Sequence, residues 1–177
     1  MLGFKKIVMV TVNGMDTITG NPLYREQAAD LGVEVVEINF EEDEMHAEDY
    51  TERILKRLRE TDMSEIDAVL FAYGTMDDNN AKIISDYMSE KGIPTLIGDG
   101  DSICQNGGMM CLSCFDYERY GNYASMVCSN VMHGKKAGAQ PCVYTSSPHI
   151  VLNMTTAEKT GFKCSFDFLR SIDRIYR

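Results

Sequence analysis

The chain has 177 residues, of which 44% are hydrophobic and 25% are charged, and this length suits one compact domain. Its formal net charge is −10, which argues against a nucleic-acid partner because phosphates require a basic surface. No apolar run reaches the roughly 18 residues of a membrane-spanning helix, and the first residues lack the cleavage site of a signal peptide. As written, the sequence therefore predicts a soluble, cytoplasmic protein.

The first half alternates strand and helix signals. Residues 7–12 are a continuous apolar run that predicts a strand, and residues 21–32 predict a helix that Asn21 caps, with proline in its first turn and glycine at its end. Residues 33–38 predict a second strand. The acidic run of residues 41–49 is expected to be a solvated loop and helix start, and residues 47–60 an amphipathic helix.

The same alternation continues with a strand over residues 66–73, a helix over 77–92 and a strand over 93–97. Short buried strands alternating with helices predict an α/β fold, a three-layer sandwich with a Rossmann-like parallel sheet. The turns after the first, third and fourth strands then lie along one edge of the sheet, where such folds bind ligands. These turns form the predicted ligand wall.

The last third has different signals. Tyr117 to Val131 carries an apolar stripe at helical spacing, which predicts core packing, and Gly134 ends that helix. Residues 142–146 and 149–154 predict short strands. The final residues predict a C-terminal helix with four side chains facing inward, namely Phe166, Leu169, Ile172 and Ile175.

Residue types that support catalysis or metal binding are sparse. The six cysteines include one CxxC, Cys111 and Cys114, which a strand would place on opposite faces, and no second pair completes a zinc site. Reduced, mostly buried thiols are the expectation. None of the three histidines lies beside a candidate nucleophile. We therefore predict a protein that is not an enzyme and has no metal or cofactor.

The segment IPTLIGDGDS, followed by FDYERYG, is the most informative part of the chain. An apolar strand ends in a turn where Gly98 and Gly100 give the backbone freedom, so that Asp99 and Asp101 can present carboxylates to a polar solute. The alternative is a turn without function, since Asp and Gly are common turn residues.

These two motifs, preceded by IDAVLFAYGTMDDNNAKIISDYMSEKG, resemble the later half of ABC-transporter substrate-binding proteins, the type that includes tryptophan- and tyrosine-binding lipoproteins. FKKIVMVTV and DLGVEVVEINF are similar to the opening strands of that family's second lobe, and HIVLNMTTAEKTGF to its closing strand and short helix. The resemblance covers most of residues 4–162. It implies a type I periplasmic-binding-protein lobe in one structural domain, with a core over 1–104, a hinge strand and helix over 105–135, and closing strands and a C-terminal helix over 136–177.

The resemblance also implies a function. It implies binding of a small molecule such as an amino acid, aromatic ones included, and partnership with a membrane permease. Carried over by position, the solute-facing residues are Asn13, Thr17, Thr75, Asp78, Asp99 and Asp101, with Asp116 and Tyr117 at the hinge. Where the family reads close to DNT after the third strand, this chain has Gly74, Thr75 and Met76, so the resemblance does not fix the identity of the solute.

Family members are exported, so the resemblance implies an extracytoplasmic or cell-surface location. We expect that a leader was removed from this chain or that it is a fragment of a longer reading frame. The family's first lobe precedes the matched region. The helical stripe between residues 108 and 134 must then fold back on its own sheet or be covered by another copy, and we predict a homodimer through that segment.

Two other functions remain open. The Thr- and Gly-rich turn over residues 13–21 resembles the phosphate loop of flavodoxins, which favours a flavin-binding protein or electron carrier. The lobe architecture is also shared by ligand-sensing modules of regulators.

Overall fold

The structure is a computed structural model that describes residues 3–15, 20–98, 100–114, 117–141, 143–144 and 149–177, with only the backbone described at 113 and 114. The strands are β1 (Lys6–Val12), β2 (Glu34–Phe40), β3 (Ala68–Phe71), β4 (Thr95–Ile97), β5 (Met110–Cys114), β6 (His149–Asn153) and β7 (Arg174–Tyr176). The helices are α1 (Asn21–Asp30), α2 (Glu42–Met45), α3 (Tyr50–Glu60), α4 (Ala81–Glu90), α5 (Asp101–Gln105), α6 (Tyr117–Met132), α7 (Met154–Lys159) and α8 (Phe166–Leu169).

The described strands form one sheet in the order β2-β1-β3-β4-β5-β6-β7. The first five are parallel to one another, β6 is antiparallel to β5, and β7 is parallel to β6. Helices cover the sheet, and the predicted three-layer α/β fold is confirmed. The carboxyl ends of β1, β3, β4 and β5 consequently lie along one edge, together with the amino end of β6.

The core lies around the central strands. The apolar runs of β1 and β3 are buried on both faces, as a parallel sheet between helices requires, and Phe71 is fully buried. Ile54 and Leu58 of α3 and Met88 of α4 pack into the same cluster. The amphipathic spacing of α3 therefore predicted its buried face correctly.

The start of α1 differs from the prediction. Gly20, with φ of +71°, occupies the capping position, and the Asn21 side chain makes no capping hydrogen bond. Asn21 is instead fully buried, and neither of its amide atoms has a hydrogen-bond partner among the described residues. The predicted helix is present, but its predicted cap is wrong because Asn21 already lies inside the first turn.

The acidic run is more structured than a solvated loop. Glu41 and Glu44 form a reciprocal capping box at α2, in which the Glu41 N–H donates to Glu44 Oε2 at 2.8 Å. Arg57 of α3 donates to Glu44 Oε1 at 2.9 Å. The Glu41 backbone N–H, followed by the charge of Arg57, holds the pKa of Glu44 below its usual range. This carboxylate therefore ties α2 to α3.

Two predictions for the last third are wrong. The C-terminal segment contains only the short helix α8 and then β7, and Phe166 and Ile175 are exposed. Along α6 no residue is buried, so its apolar stripe is not part of the core. In the described part of the chain, α6 makes no extensive contact with another helix or strand. The expected strand over 142–146 falls mostly outside the described residues.

Candidate functional site

An open cleft of about 980 Å³ lies at the carboxyl edge of the sheet. It is lined by residues of the turn after β3, by α5 with the glycine before it, by the first turn of α6 and by residues of β6 and β7. Its volume is at the upper end of the range that small-molecule sites usually have. The cleft is large enough for a small molecule, and it lies at the carboxyl edge of the sheet, where the sequence pattern predicted a ligand site.

Backbone contact between β3 and β4 builds the floor of this edge. The Gly98 N–H donates to the Phe71 carbonyl at 2.8 Å, and a Cβ at Gly98 would lie 2.8 Å from the Tyr73 nitrogen. Only glycine permits so close an approach. Gly100 has φ of +130°, and a Cβ there would lie 2.6 Å from Ile103 Cδ1. The two glycines of the IGDGDS motif are thus required by the turn that leads into α5.

The turn after β3 is held by internal hydrogen bonds. The fully buried Thr75 donates its hydroxyl to the Ala72 carbonyl at 2.7 Å, and its own carbonyl accepts from the Tyr50 hydroxyl at 3.2 Å. Asp77 accepts from the backbone N–H groups of Asn79 and Asn80, each at 2.9 Å. These contacts fix the backbone that presents Asp78 at the cleft.

Asp78 and Asp101 have different partners. Asp78 is exposed, and its Oδ1 accepts from Asn106 Nδ2 at 3.2 Å, which joins the β3 turn to the end of α5. Asp101 is ion-paired with Arg174 of β7, and its Oδ1 accepts from the Tyr176 hydroxyl at 2.9 Å. The hydrogen bond to Tyr176 and then the charge of Asp101 raise the pKa of Arg174.

Three of the sequence-predicted residues line the cleft: Asp78, Asp101 and Tyr117. Two others are described but do not line it. Asn13 donates from Nδ2 to Glu41 Oε1 at 2.6 Å, and Thr75 points inward as described above. The remaining three, Thr17, Asp99 and Asp116, lie outside the described residues.

Sequence reasoning missed the contribution of the C-terminus. Asp173, Arg174 and Tyr176 line the cleft because β7 pairs with β6 beside α5. The chain separation between Arg174 and Asp101 is 73 residues. The local sequence DRIYR does not alternate between charged and apolar residues, so it carries no strand pattern that would have identified β7.

In the described ranges, no group of three or more His, Cys, Asp or Glu side chains has an arrangement that could hold a metal ion. Cys104 and Cys111 are buried, and burial raises the pKa of the Cys104 thiol, which disfavours a reactive thiolate. The arrangement offers carboxylates, a guanidinium and tyrosine rings to a solute, which suits binding.

No described helix is long and apolar enough to cross a bilayer. The turn over 13–21, on which the flavin-binding alternative depends, lies partly outside the described residues, so that alternative stays a prediction.

The α/β fold of the described residues is similar to a lobe of a solved substrate-binding protein. Similar solved structures include a substrate-binding protein with adhesive properties from Clostridium difficile in its ligand-free, open form, with a TM-score of 0.69 and 15% identity, covering 98% of this chain and 55% of that one. The structure of an ABC domain in complex with L-Trp, from Streptococcus pneumoniae, has a TM-score of 0.72 and 14% identity. The match covers 97% of this chain and 55% of that one.

A conserved domain protein from Vibrio cholerae has a TM-score of 0.68 and 19% identity, and the match covers 98% of this chain and 55% of that one. The chain thus spans about half the length of these three structures. No protein-family model matches the sequence, and neither does any curated protein. The predicted resemblance is confirmed at the level of fold, since one of these structures is a substrate-binding protein and another is a complex with L-Trp.

Proposed function

We propose that this chain is a solute-binding lobe that holds a small molecule in the cleft at the carboxyl edge of its sheet and performs no chemistry on it. The observation that carries the proposal is the cleft itself. It lies at the end of β3 and β4, and its wall combines the exposed carboxylate of Asp78 with the tyrosine rings of Tyr73 and Tyr117. A concave site with a few polar groups is the usual form of a small-molecule site.

The finer proposal follows from the structural neighbours. We propose that the solute is an amino acid, that the parent protein works outside the cytoplasm, and that it delivers the solute to the permease of an ABC transporter. Proteins of this architecture close two lobes around a ligand, and the closure supplies much of the affinity. The described residues form one such lobe, and we expect that lobe on its own to bind the solute weakly.

Calorimetric titration with the common amino acids tests this proposal. Ser102→Trp places a large ring in the cleft and is expected to abolish binding, because Ser102 is an exposed cleft residue. Ser64→Trp places the same ring on an exposed position outside the cleft lining and should leave binding unchanged. Equal effects of the two variants would contradict the cleft as the site. If a monomeric sample bound an amino acid with a submicromolar dissociation constant, the expectation of weak binding by one lobe would be contradicted.

We also propose a homodimer through residues 108–134. The helix α6 has no buried residue, and Tyr120 and Val131 of its apolar stripe, which lie outside the cleft lining, are 46% and 39% exposed. Of the described residues after the helix, Tyr144 contacts the stripe, with its ring 5.5 Å from that of Tyr120. A monomer rarely leaves such a face in water, and a second copy would cover it.

Sedimentation equilibrium at tens of micromolar tests the dimer. Val127→Glu places a charge on the stripe and should give monomers, whereas Asn122→Glu lies on the opposite side of the helix and should leave the dimer intact. A monomeric wild type, or equal dimerisation of both variants, would show that this face does not mediate self-association.

A further inference from the structure

We propose that the solute carries a net positive charge, as an amine or guanidine cation does, rather than being a neutral or acidic amino acid. This inference rests on the proposed function and concerns the charge of the ligand in the same cleft. It is carried by the balance of charged side chains around the cleft, by how each of them is paired, and by the exposed tyrosine rings beside them.

Acidic side chains dominate the described lining of the cleft. Five carboxylates face one guanidinium, that of Arg174, and His149 is the remaining titratable nitrogen group. With the histidine neutral, five negative charges and one positive charge leave a formal charge of −4 on these residues. The five carboxylates are Asp77, Asp78, Asp101, Glu118 and Asp173.

The hydrogen bonds of these carboxylates do not cancel that charge. Asp77 accepts from backbone N–H groups, and Asp173 Oδ2 accepts from the Ile150 N–H at 2.8 Å. Asp78 accepts from a neutral amide. Neutral donors stabilise a carboxylate but leave its negative charge in place. Among the described carboxylates of the lining, Asp101 is the one whose charge is paired, with the guanidinium of Arg174.

That ion pair also determines what Arg174 can do. Its guanidinium is held by Asp101 and by the Tyr176 hydroxyl, so a ligand carboxylate would compete with Asp101 for it. A ligand carboxylate would at the same time approach four carboxylates that have no ion pair among the described residues. Like charges brought together in a cleft suppress binding, and opposite charges promote it. The carboxylates of the cleft therefore repel an anionic group of a ligand and attract a cationic one.

The aromatic residues add a second contact suited to a cation. Tyr73 is 44% exposed and Tyr117 is 66% exposed, and both line the cleft. The face of a tyrosine ring attracts ammonium and guanidinium groups within a few ångströms. The whole chain, at −10, contributes an attractive field for the same charge.

L-arginine and L-citrulline are matched probes for this inference, because they share a shape and differ in the charge of the terminal group. In titrations of the full chain we expect L-arginine to bind at least about tenfold more tightly than L-citrulline. Asp78→Asn should weaken L-arginine binding about fivefold and leave L-citrulline binding nearly unchanged. Arg174→Gln removes the competing cation and should strengthen L-arginine binding.

Asp30→Asn is the control for net charge. Asp30 is exposed at the end of α1, next to the amino end of β2 and outside the cleft lining, and its removal changes the total charge by the same amount as Asp78→Asn. We expect its effect on L-arginine binding to be small. Thermal unfolding of each variant shows whether the fold is retained, and Asp78→Asn changes only an exposed turn.

The outcomes separate this inference from the proposed function. Equal binding of both probes at the cleft, blocked by Ser102→Trp, would leave solute binding intact and overturn the preference for a cation. Equal weakening by Asp78→Asn and Asp30→Asn would also overturn it, since the attraction would then be non-specific. Binding of neither probe nor any other amino acid would overturn the proposed function as well.

Discussion

The sheet and the helix α6 differ in how they use their apolar residues. In the sheet, Val8, Val10 and Phe71 are fully excluded from solvent, and α3 and α4 pack over them. In α6, none of 16 residues is buried, although the helix carries a comparable apolar stripe. The same type of side chain therefore stabilises the fold in one region and is available for a partner in the other.

Phe71→Ala should produce the largest effect on stability. Its ring is fully buried in β3, and removing it should lower the free energy of unfolding by about 3–5 kcal/mol. Tyr117→Ala removes an aromatic ring of similar size from α6, where 66% of the residue is exposed, and should change stability by at most about 0.5 kcal/mol. Urea denaturation of a dilute sample measures both, and similar losses would contradict the contrast between sheet and α6.

A pair of glycine substitutions sharpens the same contrast. Gly98→Ala would place a methyl group 2.8 Å from the Tyr73 nitrogen, so we expect a loss of about 2 kcal/mol and weaker solute binding. Gly121→Ala in α6 meets no atom within 4 Å and replaces a poor helix former, so we expect a gain of about 0.5–1 kcal/mol. Thermal unfolding measures whether each substitution lowers or raises the stability of the fold. A neutral Gly98→Ala would show that the β3 and β4 turns are not in close contact.

Glu44→Gln should have a smaller effect that depends on pH. The folded-state pKa of Glu44 is lowered, so its ionised form stabilises the fold above the ordinary pKa of about 4.3, and this contribution disappears as the pH falls through the lower folded value. Since Gln keeps the capping hydrogen bond and loses the ion pair with Arg57, we expect a loss of about 0.5 kcal/mol at neutral pH and almost none in acid. Glu42→Gln, an exposed position in the same helix, is the control. A pH-independent difference would contradict the role of the Glu44 carboxylate.

The sequence predicted the first 105 residues well because their signals are local. The strands β1 and β3 lie in apolar runs, and Gly32 and Gly92, each with positive φ, follow their helices as expected. Asp78 and Asp101 were placed at the correct edge because the carboxyl ends of parallel strands meet there. These inferences needed no knowledge of contacts between distant residues.

The C-terminal region could not be predicted in the same way. Apolar residues at every third position from Phe166 to Ile175 favoured a helix, yet Asp173 and Ile150 exchange hydrogen bonds that begin the pairing of β7 with β6. That pairing depends on partners more than 20 residues away, and Asp173 Oδ2 and the Ile150 N–H are separated by 23 positions. The position of Arg174 in the cleft follows from the same pairing, so the sequence analysis missed both the strand β7 and the contribution of Arg174.

Mapping amide chemical shifts during titration with L-arginine tests the central claim most directly, because it locates the bound solute on the chain. The account predicts the largest shifts in the turn after β3, in α5 and in the first turn of α6, around Asp78, Ser102 and Tyr117, and small shifts around Glu42 and Asp43. Largest shifts in the acidic segment around α2, or a uniform response along the chain, would contradict a solute site at the carboxyl edge of the sheet.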